Sequence, residues 1–200
     1  MKKLMMIAAM MIAAISANAQ NEVGQITLKP TVGMNIATMT KMDDSKVRVG
    51  LIAGAEAEYG VAESFGISAG VLYSMQGVKF KESVSGVDVT ETMKLDYINI
   101  PILAQYYPIK GLAIKAGIQP GFKVSAKLSE KATSGNATYT DSEKLDGVKA
   151  FQFAIPVGLS YEYQNFVLDA RYNIYVTKAF KEGDSRHSVF SITLGYKFAL

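Results

Sequence analysis

The chain has no cysteine and no tryptophan, one histidine and five prolines in 200 residues. Without cysteine, disulfides, thiolate catalysis and cysteine-based metal sites are excluded. Without tryptophan, any aromatic belt must be built from tyrosine and phenylalanine. With a single histidine, His187 in Asp184-Ser-Arg-His-Ser188, a Ser/His/Asp relay would need partners that one loop cannot bring together. It is read as a solvated loop histidine. Asp43-Asp44 lacks calcium-loop spacing, no GxGxxG or GxxxxGK[ST] phosphate cradle is present, and no metal or cofactor site is expected. The sequon Asn136-Ala-Thr138 carries no weight in a chain with bacterial-type export features.

Long apolar runs are also missing, with one exception at the N-terminus. Lys2 and Lys3 precede an apolar run, Leu4–Ala17, and Ala17-Asn18-Ala19 is a small-x-small site. The run is too short to span a membrane as a helix and reads as the core of a signal peptide, residues 1–19. The remaining 20–200 fit one domain. Without Lys2 and Lys3 the balance is 19 basic to 18 acidic residues. No Lys/Arg cluster stands out, so nucleic acid is not an expected partner.

What is present is alternation. Glycine, Val, Ile, Thr, Tyr and Phe recur at period two, the signature of strands rather than helices. Phe166, Leu168, Ala170, Tyr172, Ile174 and Val176 share one face, with Asp169, Arg171 and Asn173 on the other. Eight such segments are expected: Gln25–Thr40, Val47–Tyr59, Phe65–Lys81, Thr90–Tyr107, Leu112–Leu128, Val148–Tyr163, Phe166–Thr177 and Ser188–Leu200. Three connectors are short (Gly60–Ser64, Pro108–Gly111, Gln164-Asn165). Four are longer and polar (Lys41–Lys46, Glu82–Val89, Ser129–Gly147, Lys178–His187). An even number of amphipathic strands with this rhythm predicts an all-β fold, an eight-stranded antiparallel up-and-down transmembrane β-barrel. Short turns and both termini are then periplasmic, and long loops lie outside.

Tyr59, Phe65, Tyr106, Tyr107, Tyr161, Tyr163, Phe166, Tyr196 and Phe198 gather beside the short turns or the C-terminus, as a periplasmic girdle would. Pro101, Pro120 and Pro156 fall inside strands. Proline cannot donate to the ladder, so bulges or kinks are expected there.

These residues resemble the PorT-like family of outer-membrane β-barrels. The matching pieces are Gly33-Met-Asn35, Gly50-Leu-Ile-Ala-Gly-Ala-Glu56, Leu72-Tyr-Ser-Met-Gln-Gly77, Tyr97-Ile-Asn-Ile-Pro101, Gln105-Tyr-Tyr107, Ala116-Gly117, Gln119-Pro-Gly121 and Asp169-Ala-Arg-Tyr-Asn173. The resemblance implies an eight-stranded outer-membrane barrel without catalytic residues. Thr193, Gly195, Phe198 and Leu200 resemble an outer-membrane insertion signal, with leucine where a terminal aromatic is usual, which implies recognition by the barrel-assembly machinery.

An eight-stranded barrel is just wide enough for its side chains to fill it. Charge on its inner face must be paired. Lys29, Arg48, Glu56, Glu58, Lys115, Lys123, Glu162, Asp169, Arg171 and Lys197 are placed inside as a salt-bridge network, relieved by Gly33, Gly50, Gly54, Gly66, Gly70, Gly117, Gly121, Gly158 and Gly195. The expected partners are outer-membrane lipid, the assembly machinery and a protein partner at the external loops, and the barrel is expected to be monomeric. The expected role is structural or interactive. A small-solute or ion channel, or an accessory of a protein-export complex, are the alternatives. A soluble sandwich or lipocalin-like binder would need polar outward faces, and these carry Ile, Val, Leu, Tyr and Phe.

Overall fold

The computed structural model describes residues 23–42, 45–84, 87–134 and 137–200. The expected signal peptide, Asp43-Asp44 and Asn136 of the sequon lie outside the described residues. Eleven strands are described: β1 (Ile26–Met39), β2 (Lys46–Ala62), β3 (Phe65–Val84), β4 (Val87–Asn99), β5 (Ile102–Ile109), β6 (Leu112–Ser134), β7 (Ala137–Lys144), β8 (Phe151–Tyr163), β9 (Phe166–Tyr175), β10 (His187–Tyr196) and β11 (Phe198–Ala199). Each pairs antiparallel with its neighbours, in the order β10-β9-β8-β6-β4-β3-β2-β1, and β1 pairs β10 to close the ring. β5 continues β4 between β3 and β6, and β11 continues β10 against β1. The wall therefore has eight staves, and closure leaves no sheet edge around it.

Period-two alternation dictates which side chains go where. On β9, Val167, Asp169, Arg171, Asn173 and Tyr175 are buried, while Phe166, Leu168, Tyr172 and Ile174 are exposed. Outward Val32, Leu51, Val71, Ile114, Leu159 and Leu194 are each about half exposed. An apolar exterior around a charged interior is the arrangement expected of a wall facing lipid.

Several expectations are corrected. Thr90–Tyr107 is two strands, broken at Ile100-Pro101. The break shifts no register: Asn99 pairs Gly121 and Ile102 pairs Ile118, three residues apart on each strand. Pairing also runs unshifted past Pro120 and Pro156. Each proline removes one ladder donor, and neighbours such as Ile100 N to Pro120 O (2.8 Å) and Gly70 N to Pro101 O (3.0 Å) hold the pairing. Register shifts fall instead at Val47/Ile52, Gly60/Ala62, Asp96/Tyr97 and Tyr106/Ile109.

Two expected loops are strand. Glu82–Val89 contains the ends of β3 and β4, and Ser129–Gly147 contains the end of β6 and all of β7. β3, β4, β6 and β7 thus continue past the rim as a four-stranded sheet. At the opposite end lie the short turns at Glu63-Ser64, Lys110-Gly111 and Gln164-Asn165, together with the start of β1 and the end of β11. Tyr59, Tyr106, Tyr161, Tyr163 and Phe166 are exposed there. Tyr107 is not in this girdle. It turns inward and its hydroxyl donates to Glu58.

Candidate functional site

The lumen is filled in layers. Nearest the termini, Lys197 on the break between β10 and β11 lies 2.6 Å from Glu162 and 3.4 Å from Glu58. The Tyr107 ring sits 5.8 Å from its Nζ.

Above this lies the main ion network. Arg171 Nη1 and Nη2 donate to the two oxygens of Glu56 at 2.5 and 2.7 Å, and its Nε donates to Asp169 Oδ1 at 2.7 Å. Lys29 is 2.7 Å from Glu56 and 3.7 Å from Asp169, and Lys115 donates to Asp169 at 2.7 Å. Three cations thus share two carboxylates, all buried. The paired charges and the fork geometry of arginine offset the cost of removing them from water. Glycine makes the room. A Cβ on Gly70 would lie 2.6 Å from Glu56 Cγ, and one on Gly158 would lie 2.8 Å from Arg171 Cγ.

A belt of neutral amides and hydroxyls follows. Ser191 donates to Asn35 (2.7 Å), Asn173 to Ser191 (3.1 Å), Gln76 to the Tyr175 hydroxyl (2.9 Å) and Gln152 to Asn99 (2.9 Å). A void among Thr31, Ser74, Asn99, Gln119 and Arg171 measures about 10 Å³, room for at most one water.

The end with the long hairpins is closed by an apolar lid. Met39, Val78, Leu95, Tyr97, Val148 and Ala179 are buried together, with Met93, Phe80 and Phe180 packed against them. The Lys178–His187 connector supplies part of this lid. Val148 bridges Phe180, and Ala179 accepts from Lys149 N at 2.9 Å. At its outer turn Asp184 lies 2.5 Å from Lys178 and 3.6 Å from Lys41. The hydrogen bond and charge of Lys178, then the charge of Lys41, hold this exposed carboxyl below its ordinary value.

Most of the charged residues read from the sequence belong to this interior, but not as one network. Glu56, Lys115, Asp169 and Arg171 form the central cluster with Lys29, while Glu58 and Glu162 form the basal one with Lys197. Lys123 joins neither. Its Nζ donates to Val148 O at 2.8 Å, beneath the lid. Arg48 plugs the wall instead. The β2–β3 ladder is interrupted between Val47 and Ile52. There the Arg48 guanidinium donates to Gln76 O, and Asn35 donates to Met75 O at 3.0 Å. Arg48 also reaches Asp96 (3.8 Å), which accepts from the Tyr73 hydroxyl (2.8 Å). Side chains replace ladder bonds that the shift removes.

His187, expected in a solvated loop, is buried instead. It is the first residue of β10, 2 % exposed, with Tyr97 and Tyr175 edge-on at 5.6 and 5.4 Å between ring centroids. Neither ring nitrogen has a hydrogen-bond partner among the described residues. Its flanking polar residues suggested a loop, yet Val189, Ser191 and Thr193 set an inward parity that includes position 187.

Of the C-terminal residues, Thr193 and Gly195 face inward, and a Cβ on Gly195 would lie 2.8 Å from Lys29 Cγ. Phe198 stacks on Tyr196 at 4.7 Å, and Leu200 is exposed with its N–H donating to Ile26 O at 2.9 Å. The sequence reading left the amides Asn35, Gln76, Asn99, Gln119, Gln152 and Asn173 out of the interior network. Their signal was inward parity, and five of them lie within the pieces that carry the family resemblance. Among the described residues no cluster of three or more histidines and acids could hold a metal.

The family model for the outer membrane protein beta-barrel domain matches residues 18–181. No curated protein matches the chain. Among solved structures, the chain is similar to Ail, the attachment invasion locus protein of Yersinia pestis, at 15% identity, covering 88% of this chain and 100% of that one with a TM-score of 0.49. It is also similar to Neisserial surface protein A, at 15% identity over 86% and 97% of the two chains with a TM-score of 0.46.

Proposed function

Since the chain belongs to the outer membrane protein beta-barrel domain family, we propose that it works as a sealed surface barrel whose task is carried by the sheet β3-β4-β6-β7 beyond the rim. The protein is an outer-membrane β-barrel. The observation behind the sealed reading is the filled lumen, from Lys197 and Glu162 at one end to the apolar lid at the other. Such an interior supports a stable, rigid pedestal better than an ion or solute path. The reading assigns no reaction to the chain, because the acids and bases of its central and basal clusters are engaged with one another.

In this proposal the termini and short turns face the periplasm, and the hairpins face outward. The short turns at one end and the long hairpins at the other support that orientation. A protein partner would meet the two hairpins; one lies within Ser129–Gly147, which with Lys178–His187 was the loop first expected to carry binding. The barrel is monomeric, and its last strand is the segment offered to the assembly machinery. The ordered pieces from Gly33-Met-Asn35 to Asp169–Asn173 support placing it with PorT-like barrels within the family.

The absence of cysteine makes the orientation directly testable. Thr140→Cys and Gln164→Cys variants are expressed in cells and treated with a membrane-impermeant maleimide. Thr140→Cys is expected to label on intact cells, and Gln164→Cys only after the outer membrane is permeabilised. The reverse pattern would overturn the outward placement of the sheet.

A further inference from the structure

The sheet above the rim separates charge by face. Cross-strand partners point to the same side. One side carries the rows Lys79, Thr92, Ser129, Ser142 and Lys81, Thr90, Lys131, Thr140, with Lys94, Lys127 and Lys144 in the row nearest the rim. That is six lysines. None takes part in an ion pair among the described residues. The acids on this side are Asp88 at the tip and Asp96 at the base, the latter engaged by Tyr73 and Arg48. The opposite side carries Glu82, Glu91, Glu130, Asp141 and Glu143 and no lysine.

The lysine side is continuous with the lipid-facing wall. On β3 it descends through Met75 to Tyr73, and Tyr73, Ile98, Phe122 and Phe151 are successive cross-strand partners in one outward row. Phe122 and Phe151 stack edge-on at 5.6 Å. Such a row marks the upper limit of the hydrocarbon. Lys94 and Lys127 stand four residues above Ile98 and five above Phe122. At about 3.3 Å per residue and a tilt of about 40°, that is roughly 10 Å higher, the level of lipid headgroups.

We infer that this face binds the phosphorylated headgroups of the membrane in which the barrel sits, with Lys94, Lys127 and Lys144 as the principal contacts. Charge complementarity and continuity with the lipid-facing wall select that occupant. Flexible lysine stems let the upper-row charges bend down to the same layer. The inference rests on the outward placement of the hairpins. Lipid retention in detergent is read without reference to orientation, so the two experiments fail independently.

The test is native mass spectrometry of the full chain in a zwitterionic detergent, titrated with diphosphoryl lipid A or with phosphatidylcholine. The phosphorylated lipid is expected to be retained preferentially and to be released by salt. K94Q/K127Q/K144Q is expected to weaken retention about a hundredfold, with heat-modifiable gel mobility unchanged. E91Q/E130Q, on the opposite face, is expected to leave it intact. If the triple variant fails to fold, K81Q/K131Q is used, with at least a tenfold loss expected. Equal retention of phosphatidylcholine, or undiminished retention by the folded lysine variant, would overturn the inference. So would a heparin oligosaccharide binding the same lysines as tightly as the lipid, because that would assign the face to a soluble polyanion.

Discussion

Arg171 on β9 meets Glu56 on β2 through two parallel hydrogen bonds, 2.5 and 2.7 Å long, across a lumen that three strand steps of wall separate. The contact joins residues 115 positions apart and fixes the bore at its middle. Lys29, Lys115 and Asp169 complete it, so every charge in the cluster has an opposite neighbour. Removing one partner would strand a buried charge. Glu56→Gln is therefore expected to cost about 3–5 kcal/mol, read as a lower urea midpoint of heat-modifiable mobility in lipid vesicles. A midpoint within error of the parent would mean that water, not Arg171, satisfies Glu56.

Gly158 is the cross-strand partner of Arg171, and its missing side chain is what admits the guanidinium stem. A Cβ there would lie 2.4 Å from Ala170 O and 2.8 Å from Arg171 Cγ. Gly158→Val should cost about 3 kcal/mol from overpacking. Gly147 has φ +77° and nothing within 4 Å of an added Cβ. Gly147→Ala should cost only local backbone strain, about 1 kcal/mol. The same urea titration ranks the two, and equal losses would remove the close-approach argument.

His187 lies between two tyrosine rings, and neither nitrogen is paired among the described residues. A buried polar atom without a partner is destabilising. His187→Phe should raise stability by about 1 kcal/mol while keeping the ring contacts. A loss of stability would show that a nitrogen is hydrogen-bonded after all, and a solvated loop histidine would show no change.

Asp184 is held by Lys178 and Lys41 at the turn over the mouth, and its carboxyl is lowered from the ordinary 3.8. A lowered carboxyl stabilises the held turn above that ordinary value, and the contribution is lost as pH falls through the lowered one. Backbone resonances of Lys178–Arg186, followed by NMR in micelles, should keep their pH 7 positions down to about pH 4 and move below it. Asp184→Asn should abolish that movement. A parent transition well above the ordinary value would contradict the assignment.

How far the sequence carried this reading depends on what each strand faces. β9 was legible because one side meets lipid and the other meets charge, so Phe166 to Tyr175 alternates cleanly. β7 was not: Thr138-Tyr139-Thr140-Asp141 is polar and exposed on both sides, and no hydrophobic period marks it. The upper ends of β3, β4 and β6 were cut short for the same reason. The charged interior was legible from parity alone, as Glu56, Asp169 and Arg171 show. Its division into a basal and a central cluster was not, because that depends on heights set by the stagger between strands. Arg48 was legible as a buried charge, but its contact with Gln76 O at the seam was not, because nothing in the sequence marks the β2–β3 shift between Val47 and Ile52. Of the prolines, Pro101 interrupts its strand, but at all three one lost donor in a closed wall is too small a fault to shift the pairing.

The central claim is that side chains seal the bore. It is tested most directly by single-channel recording of the purified, folded chain in planar bilayers. The account predicts no steady conductance above that of the bare membrane for the parent. A reproducible open level of sizeable conductance from the parent protein would contradict it and make the barrel a channel.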